Sequence, residues 1–153
     1  MSEAVDIYQA HLDTVSQALF RGDFDAVTAL MHYPSAMETD DDWVCIDSAP
    51  ALLPSLRSFR ETLSRLGVTE YHRICRGADF AQDDPDRIEG LHETYALRHA
   101  VPAMPPYLNR MTLIRRDGIW LGAGIRAAAR NTDWTIIQHD TTGTIRPARP
   151  ATR

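Results

Sequence analysis

Apolar side chains recur at spacings of three and four near the start of the chain, a pattern typical of an amphipathic helix. This stripe runs from Ala4 to Phe20. Its apolar positions are Val5, Tyr8, Leu12, Val15 and Leu19. Gly22 interrupts the stripe, and Asp23 can cap a second helix that continues to Met31. The pattern therefore predicts two consecutive helices at the start of the fold.

Two short apolar runs between Ala36 and Ile46 flank an acidic run at residues 40–42. This arrangement predicts a small hairpin with a solvated turn, because the ligand spacing of a calcium loop is absent. Helical spacing returns after Asp47-Ser48 and ends at Gly67. The apolar positions of this third predicted helix are Leu52, Leu56, Phe59, Leu63 and Leu66.

Beyond Gly67 the period changes from helical to alternating, which predicts long antiparallel strands up to about residue 130. The first two predicted strands run from Val68 to Phe80 and from Arg87 to Val101. A hairpin from Tyr107 to Arg130 follows, hinged on Asp117-Gly118. An Asp-Gly dipeptide between two strand-like runs is the strongest short-range hairpin signal, because both central residues need a positive φ.

A two-residue turn at this hinge predicts the register of the hairpin. Asn109 then lies opposite Arg126, and Met111 opposite Gly124. Asn109, Met111, Trp120 and Arg126 share one face, which we expect to form a cavity wall with a polar end. The alternative is that Asn109 and Arg126 lie at the exposed end of the strands and are only solvated.

The other face of the hairpin also carries apolar side chains, so neither face has the pattern of a solvent face. An antiparallel sheet usually has one wet face, and apolar residues on both sides imply that both are covered. Helices can cover one face and a second subunit the other. The sequence therefore predicts a homodimer through the convex side of the sheet.

Composition narrows the function classes. The chain has 153 residues, 44 % of them hydrophobic, and no apolar run of about 18 residues, which favours one soluble domain without a membrane span. A net charge of −5 without a clustered basic face argues against nucleic acid as a partner. All 16 basic residues are arginine, which excludes a lysine Schiff base, a pyridoxal phosphate anchor and a P-loop lysine.

The cellular location is expected to be the cytoplasm. No basic region followed by an apolar stretch opens the chain, so the sequence shows no secretory signal. Cys45 and Cys75 stand in isolated contexts, which favours reduced, buried thiols.

The element order resembles the NTF2-like superfamily, in particular its SnoaL-like branch. The resemblance covers residues 4–130 and is carried by the run FRGDFDAVTALM (Phe20 to Met31), the step Tyr33-Pro34 and the run RRDGIW (Arg115 to Trp120). It implies an α+β cone, with N-terminal helices packed on the concave face of a curved mixed or antiparallel sheet. A cystatin-like or other α+β sheet is the competing architecture.

The resemblance ends near residue 130, so residues 1–130 are expected to form the NTF2-like domain. Residues 131–153 would form a C-terminal extension, with a docked patch at Trp134 to Ile137 followed by a mobile arm. Neither the tyrosine and aspartates of ketosteroid isomerase-like members nor the two histidines and aspartate of scytalone dehydratase-like members can be placed as a full set on this chain.

His72 and His92 lie inside neighbouring predicted strands and are the candidate catalytic residues. If both point into the cone they could act as acid and base, whereas the alternative for each is a structural role. Tyr33 could place a hydroxyl at the rim of the cone or belong to the core. No metal or cofactor is expected, because the close ligand spacings, the nucleophile elbow and the dinucleotide fingerprint are all absent.

Two functions remain open from the sequence. One is a cofactor-free lyase or isomerase acting on a small, mostly apolar carbonyl or hydroxyl compound, with His72 and His92 as acid and base and Tyr33, Asn109 and Arg126 orienting the ligand. The other is a non-catalytic dimeric domain whose cavity binds a ligand or is filled by side chains. The first needs a closed pocket, and the two are distinguished by whether both histidines line one cavity of roughly 300 Å³ or more.

Overall fold

The computed structural model describes residues 2–139. Within this range the helices are α1 (Glu3–Phe20), α2 (Phe24–Thr28), α3 (Ala49–Arg65) and α4 (Asn131–Trp134). The strands are β1 (Met31–Glu38), β2 (Trp43–Ile46), β3 (Glu70–Ala81), β4 (Asp84–Arg98), β5 (Val101–Pro102), β6 (Tyr107–Arg116) and β7 (Ile119–Ala127). None of these helices is long and apolar enough to cross a membrane.

The first two helices begin at polar caps. The hydroxyl of Ser2 accepts a hydrogen bond from the Val5 amide, and the Asp23 carboxylate accepts one from the Ala26 amide at 3.2 Å. The second helix ends at Thr28 rather than continuing to Met31 as predicted. From Met31 onward the backbone instead pairs with two other strands, and this ladder outweighs the local helical spacing.

The strands form one mixed sheet in the order β2-β1-β7-β6-β4-β3, with β5 paired to β4. All neighbouring pairs are antiparallel except β1 and β7, which run parallel. The predicted small hairpin is present as β1 and β2. The parallel contact brings the start of the chain beside the last long strand, so the helices joined to β1 cover the concave face.

The hairpin β6–β7 departs from its predicted register at a bulge. Its turn is as predicted, with Arg116 opposite Ile119. The register shifts by one residue at Ala123, and Asn109 then lies opposite Ala127. The predicted pairs Asn109–Arg126 and Met111–Gly124 are therefore wrong. An extra residue in one strand turns every later side chain of that strand to the other face.

The described part of the extension packs into the same core as the helices and sheet. Trp134 and Ile137 are buried, and the Trp134 ring lies 4.9 Å from that of Tyr107 and 6.2 Å from that of Phe59. The domain division at residue 130 stays a prediction. The expected mobile arm lies outside the described residues, apart from its link to this patch.

Candidate functional site

A cavity of about 110 Å³ lies between the helices and the concave face of the sheet. Most of its wall is apolar. Its apolar lining includes Val15 and Leu19 of α1, Leu56 and Phe59 of α3, Met111 of β6 and Ile125 of β7. A few polar side chains interrupt this wall, and they include His11, Arg73, His92, Thr94 and Asn109. This combination is typical of a small-molecule site.

His92 lies in the middle of β4, opposite Asn109 on β6 and Cys75 on β3. Its side chain is completely buried. The Nδ1 atom lies 2.6 Å from the hydroxyl of Tyr8 on α1, and the Nε2 atom has no hydrogen-bond partner among residues 2–139. The sheet and the first helix thus hold one edge of the ring and leave the other edge unpartnered.

The surroundings of His92 determine its charge and its tautomer. Burial, followed by the charges of Arg73 and His11, lowers the pKa of His92 to about 2, so the ring is neutral at neutral pH. Burial also raises the pKa of Tyr8, whose hydroxyl therefore keeps its proton. That hydroxyl makes no other hydrogen bond with the described residues, so we assign it as donor to Nδ1. The Nε2–H group is then a free donor.

His11 on α1 is a second buried histidine of the cavity wall. Its Nε2–H donates to the carbonyl oxygen of Leu30 at 3.2 Å, and its Nδ1 atom has no partner in the described structure. Burial is the main cause that lowers the pKa of His11 to about 4, and the charge of Arg73 adds to it. His11 is therefore a neutral ring whose Nδ1 can accept a hydrogen bond or a proton.

Arg73 on β3 and a polar row on β4 and β6 complete the polar part of the wall. Arg73 is 9 % exposed and donates from Nε to the hydroxyl of Ser16 at 2.7 Å. Thr94 lies opposite Arg73 and accepts a hydrogen bond from Nδ2 of Asn109 at 2.8 Å. Asn109 is thereby fixed in the wall.

Three of the predicted site residues meet at this cavity. Asn109 and Met111 line it together with His92. The functional roles that we predicted for these residues remain predictions. Asn109 keeps its inward orientation although its expected partner on β7 was wrong, because the bulge lies in β7 and leaves β6 regular.

His72 does not share the cavity, which corrects its expected place beside His92. Its side chain is 54 % exposed, and its Nε2 atom lies 3.4 Å from the Glu70 carboxylate. The neighbouring Arg73 points into the cavity instead. Successive side chains of a strand point to opposite faces, so His72 and Arg73 cannot both enter the cone.

The other predicted ligand-binding residues also lie elsewhere. Arg126 is turned outward by the bulge and pairs with Asp40 at 3.2 Å. The Trp120 ring packs against Phe80, with ring centroids 6.3 Å apart, beside the N-terminal end of α1. The hydroxyl of Tyr33 donates to the carbonyl oxygen of Thr28 at 2.9 Å. None of these three side chains lines the cavity.

Sequence reasoning missed His11 and Arg73. His11 follows Tyr8 by three positions on the first helix, which places both on the face that carries the apolar stripe. A histidine on that face was the available signal. Arg73 carried a weaker one, since a charged residue at an inward strand position is recognisable only when the face of the strand is known.

No protein-family model and no curated protein matches the chain by sequence. Solved structures match it in three dimensions. An NTF2-like protein with a cystatin-like fold from Novosphingobium aromaticivorans superimposes with a TM-score of 0.60 at 13 % identity, covering 89 % of this chain and 90 % of that one. This chain has the NTF2-like fold. The predicted α+β cone, with helices on a curved mixed sheet, is confirmed.

Two further structures share the NTF2-like fold of this chain. Aln2 from a Streptomyces species matches with a TM-score of 0.64 at 10 % identity, covering 84 % of this chain and 92 % of that chain. LinA matches with a TM-score of 0.56 at 9 % identity, covering 95 % and 93 %. Identities this low support the NTF2-like fold alone, so the site must be argued from the residues of this chain.

Proposed function

We propose that this NTF2-like chain binds a small, mostly apolar molecule in its cavity and orients a carbonyl or hydroxyl oxygen of that molecule on Nε2–H of His92. The observation that carries the proposal is the Nε2 atom of a completely buried histidine, which has no hydrogen-bond partner within residues 2–139. Leaving a buried donor unsatisfied costs about 1–3 kcal/mol. A ligand oxygen placed there recovers this cost, and the apolar wall accepts the rest of the molecule.

The volume of the cavity limits the ligand. About 110 Å³ is below the roughly 300 Å³ at the low end of ordinary ligand pockets. A dry cavity of about 150 Å³ in another protein takes up benzene, so a ligand of this cavity should have no more than about six non-hydrogen atoms. The cavity is smaller than the roughly 300 Å³ expected of a catalytic pocket, and it supports a correspondingly small ligand.

Acid–base catalysis by a cofactor-free lyase or isomerase is the second candidate. It is favoured by the Nδ1 atom of His11, an unpartnered acceptor in the same cavity as the Nε2–H donor of His92. His11 could remove a proton next to a carbonyl whose oxygen is held by His92, the role first expected of His72. The low pKa values favour binding over turnover, since a general base works best with a pKa near the operating pH.

The test uses cyclopentanone and cyclopentane as probes, because each has the size of the cavity and only the ketone has an acceptor oxygen. We expect cyclopentanone to raise the melting temperature of the wild type and to shift the His92 Nε2–H resonance. His92→Leu should abolish the advantage of the ketone over the hydrocarbon. The double variant Tyr8→Phe/His92→Leu also removes the Tyr8 hydroxyl, which loses its partner in His92→Leu. It should likewise show no advantage of the ketone over the hydrocarbon.

His72→Leu is the matched control, because this histidine is exposed and outside the cavity. It should leave the response to cyclopentanone unchanged. A ketone advantage that persists in His92→Leu would contradict the proposal. Turnover is tested separately, by loss of hydrogen–deuterium exchange at the α-carbon of cyclopentanone in His11→Leu.

We also propose a homodimer through the convex face of the sheet, as is expected for the SnoaL-like branch. It is supported by two exposed apolar side chains on that face, Ile74 of β3 and Leu108 of β6, at 37 % and 43 % exposure. Both residues flank Glu93 of β4 in the ladder, so they lie in one row across three strands. Glu93 in the middle of this row is itself paired with Arg76 at 3.0 Å, so a second subunit would cover the ion pair together with the two apolar side chains.

A cytoplasmic location is likewise a proposal. Cys45 and Cys75 are both free thiols, as is usual in a reducing compartment, but Cys45 is exposed and Cys75 half-buried, so their predicted burial was wrong. Fractionation of cells that express the chain, followed by immunoblotting, tests it directly.

A further inference from the structure

Arg73 is a buried cation without a carboxylate partner among the described residues. Its side chain lines the cavity, and its hydrogen bonds go to two neutral oxygens, the hydroxyl of Ser16 at 2.7 Å and the carbonyl of Leu12 at 3.5 Å. Within residues 2–139 it forms no salt bridge with an Asp or Glu side chain. Buried arginines are rare in proteins unless they are paired, because transfer of an uncompensated charge from water is costly.

The groups around Arg73 do not neutralise it. His11 and His92 are uncharged, and their pKa values are lowered in part by the charge of Arg73 itself. Burial raises the pKa of Tyr71 and Tyr107, so both hydroxyls keep their protons. The remaining charged residue of the described wall is Glu38, whose carboxylate lies 3.7 Å from Nε of Arg126.

Unused donors of Arg73 and His92 can converge on one group. Arg73 lies opposite Thr94 and Cys75 lies opposite His92, so Arg73 and His92 are diagonal neighbours on the concave face. Such neighbours have Cβ atoms about 7–8 Å apart or less, within reach of long side chains. The Nη1 atom of Arg73 donates no hydrogen bond to the described residues, and neither does Nε2 of His92.

We propose that the molecule bound in this cavity is a small monocarboxylate, with its carboxylate on the guanidinium of Arg73 and its hydrocarbon tail against the apolar wall. This inference rests on the proposed function and names the class of its ligand. A guanidinium matches a carboxylate in geometry and charge, with parallel N–H donors to both oxygens. One buried cation balances one negative charge, which favours a carboxylate over a phosphate dianion. Nε2–H of His92 serves the same carboxylate or a second oxygen on the tail.

The experiment compares butanoate with butanamide, which have the same shape and six non-hydrogen atoms but differ in charge. Both are titrated into the whole chain at pH 7 and constant ionic strength, with sodium chloride as the ionic control. We expect butanoate to raise the melting temperature by several degrees and butanamide to raise it much less. Arg73→Gln should weaken butanoate binding by at least about tenfold and leave butanamide binding unchanged.

Arg76→Gln is the matched control, because Arg76 lies on the same strand and is exposed in a pair with Glu93. It should bind butanoate like the wild type. Should Arg73→Gln fail to fold, the Nε–H resonance of Arg73 in the wild type gives the answer. It should move on addition of butanoate and stay in place with butanamide or chloride.

The outcomes separate this inference from the proposed function. Equal binding of butanoate and butanamide, unaffected by Arg73→Gln, would overturn the proposal that the ligand is a carboxylate. The cavity would then be a site for neutral ligands. Stabilisation by butanoate no greater than by chloride would overturn it as well. Absence of binding by butanoate, butanamide and cyclopentanone alike would overturn both proposals.

Discussion

At the scale of single residues, the orientation of His92 depends on a glycine two positions earlier in β4. A Cβ atom at Gly90 would lie 2.5 Å from Cζ of Tyr8, and closer still to its Cε2. Real Cβ atoms do not approach a ring this closely. Glycine therefore lets the Tyr8 ring lie flat on the strand, and the Tyr8 hydroxyl then holds Nδ1 of His92.

We predict that Gly90→Ala displaces the Tyr8 ring and lowers the free energy of unfolding by about 1–3 kcal/mol through overpacking. Urea denaturation monitored by circular dichroism measures the change. Gly77→Ala is the matched control in the neighbouring strand, because apart from its chain neighbours no atom of residues 2–139 lies within 4 Å of a Cβ there. Its effect should stay within about 0.5 kcal/mol. Equal losses in both variants would show that the Tyr8 ring is not tightly seated.

At the scale of elements, one extra residue in β7 decides which side chains face the cavity. Before the bulge, Leu113 lies opposite Gly122, and after it Thr112 lies opposite Gly124. Arg126 consequently points outward and Ala127 inward. The bulge thus keeps a second guanidinium out of the cone and leaves Arg73 as the buried cation of the wall.

Another element, the short helix α4, belongs to the core although it follows the expected domain boundary. We predict that Trp134→Ala lowers the free energy of unfolding by about 3–5 kcal/mol, because the ring is buried against Tyr107 and Phe59. Urea denaturation measures this change in the free energy of unfolding. Thr132→Ala in the same helix is the control and should change the value by less than about 0.5 kcal/mol, since Thr132 is exposed. A cost below about 1 kcal/mol for Trp134→Ala would support a boundary at residue 130.

At the scale of the whole molecule, two buried neutral histidines make stability depend on pH. Their pKa values are about 4 and 2 in the folded chain, against 6.5 in an unfolded one. Below pH 6.5 the unfolded chain binds protons that the folded chain does not, so stability is present above 6.5 and lost as the pH falls. The carboxyl group of Asp41, whose pKa is lowered in the folded chain, reduces stability only below its ordinary pKa of 3.8.

We therefore predict that the free energy of unfolding falls between pH 6.5 and 5 by up to about 1.4 kcal/mol per pH unit for each histidine. Urea denaturation across this range measures the slope. His11→Leu and His92→Leu should each reduce the slope by about half. His72→Leu, at an exposed position, should leave the slope unchanged. A flat profile in the wild type would mean that the buried rings are charged or hydrated.

The proposed dimer is the second prediction at this scale. The wild type should sediment at twice the 17.2 kDa of one chain, and Leu108→Glu should sediment as a monomer because it replaces an apolar contact with a second carboxylate beside Glu93. Ile119→Glu is the control, since Ile119 is 53 % exposed at the hairpin turn and outside that row. Sedimentation of the wild type as a single 17.2 kDa species would contradict the dimer.

Much of the fold could be predicted from the sequence by itself. The order of helices and strands, the cap at Asp23 and the turn at Asp117-Gly118 depend on spacing and turn chemistry within a few residues. His92 was also recognised as a candidate, because a histidine in a strand is visible without a structure. These features are local, so a local pattern suffices to predict them.

Only the tertiary structure decided which residues share the cavity. The parallel pairing of β1 with β7 joins segments nearly ninety residues apart. Gly122 and Gly124 are compatible with a bulge in β7, but they do not fix its position at Ala123. The rotation of α1 about its axis brings His11 into the cavity with His92. The face of β3 that is turned inward carries Arg73 and not His72. The helix rotation and the inward face of β3 depend on how apolar surfaces pack across the whole chain. A shift of one residue in a strand would turn every side chain of that strand to the other face.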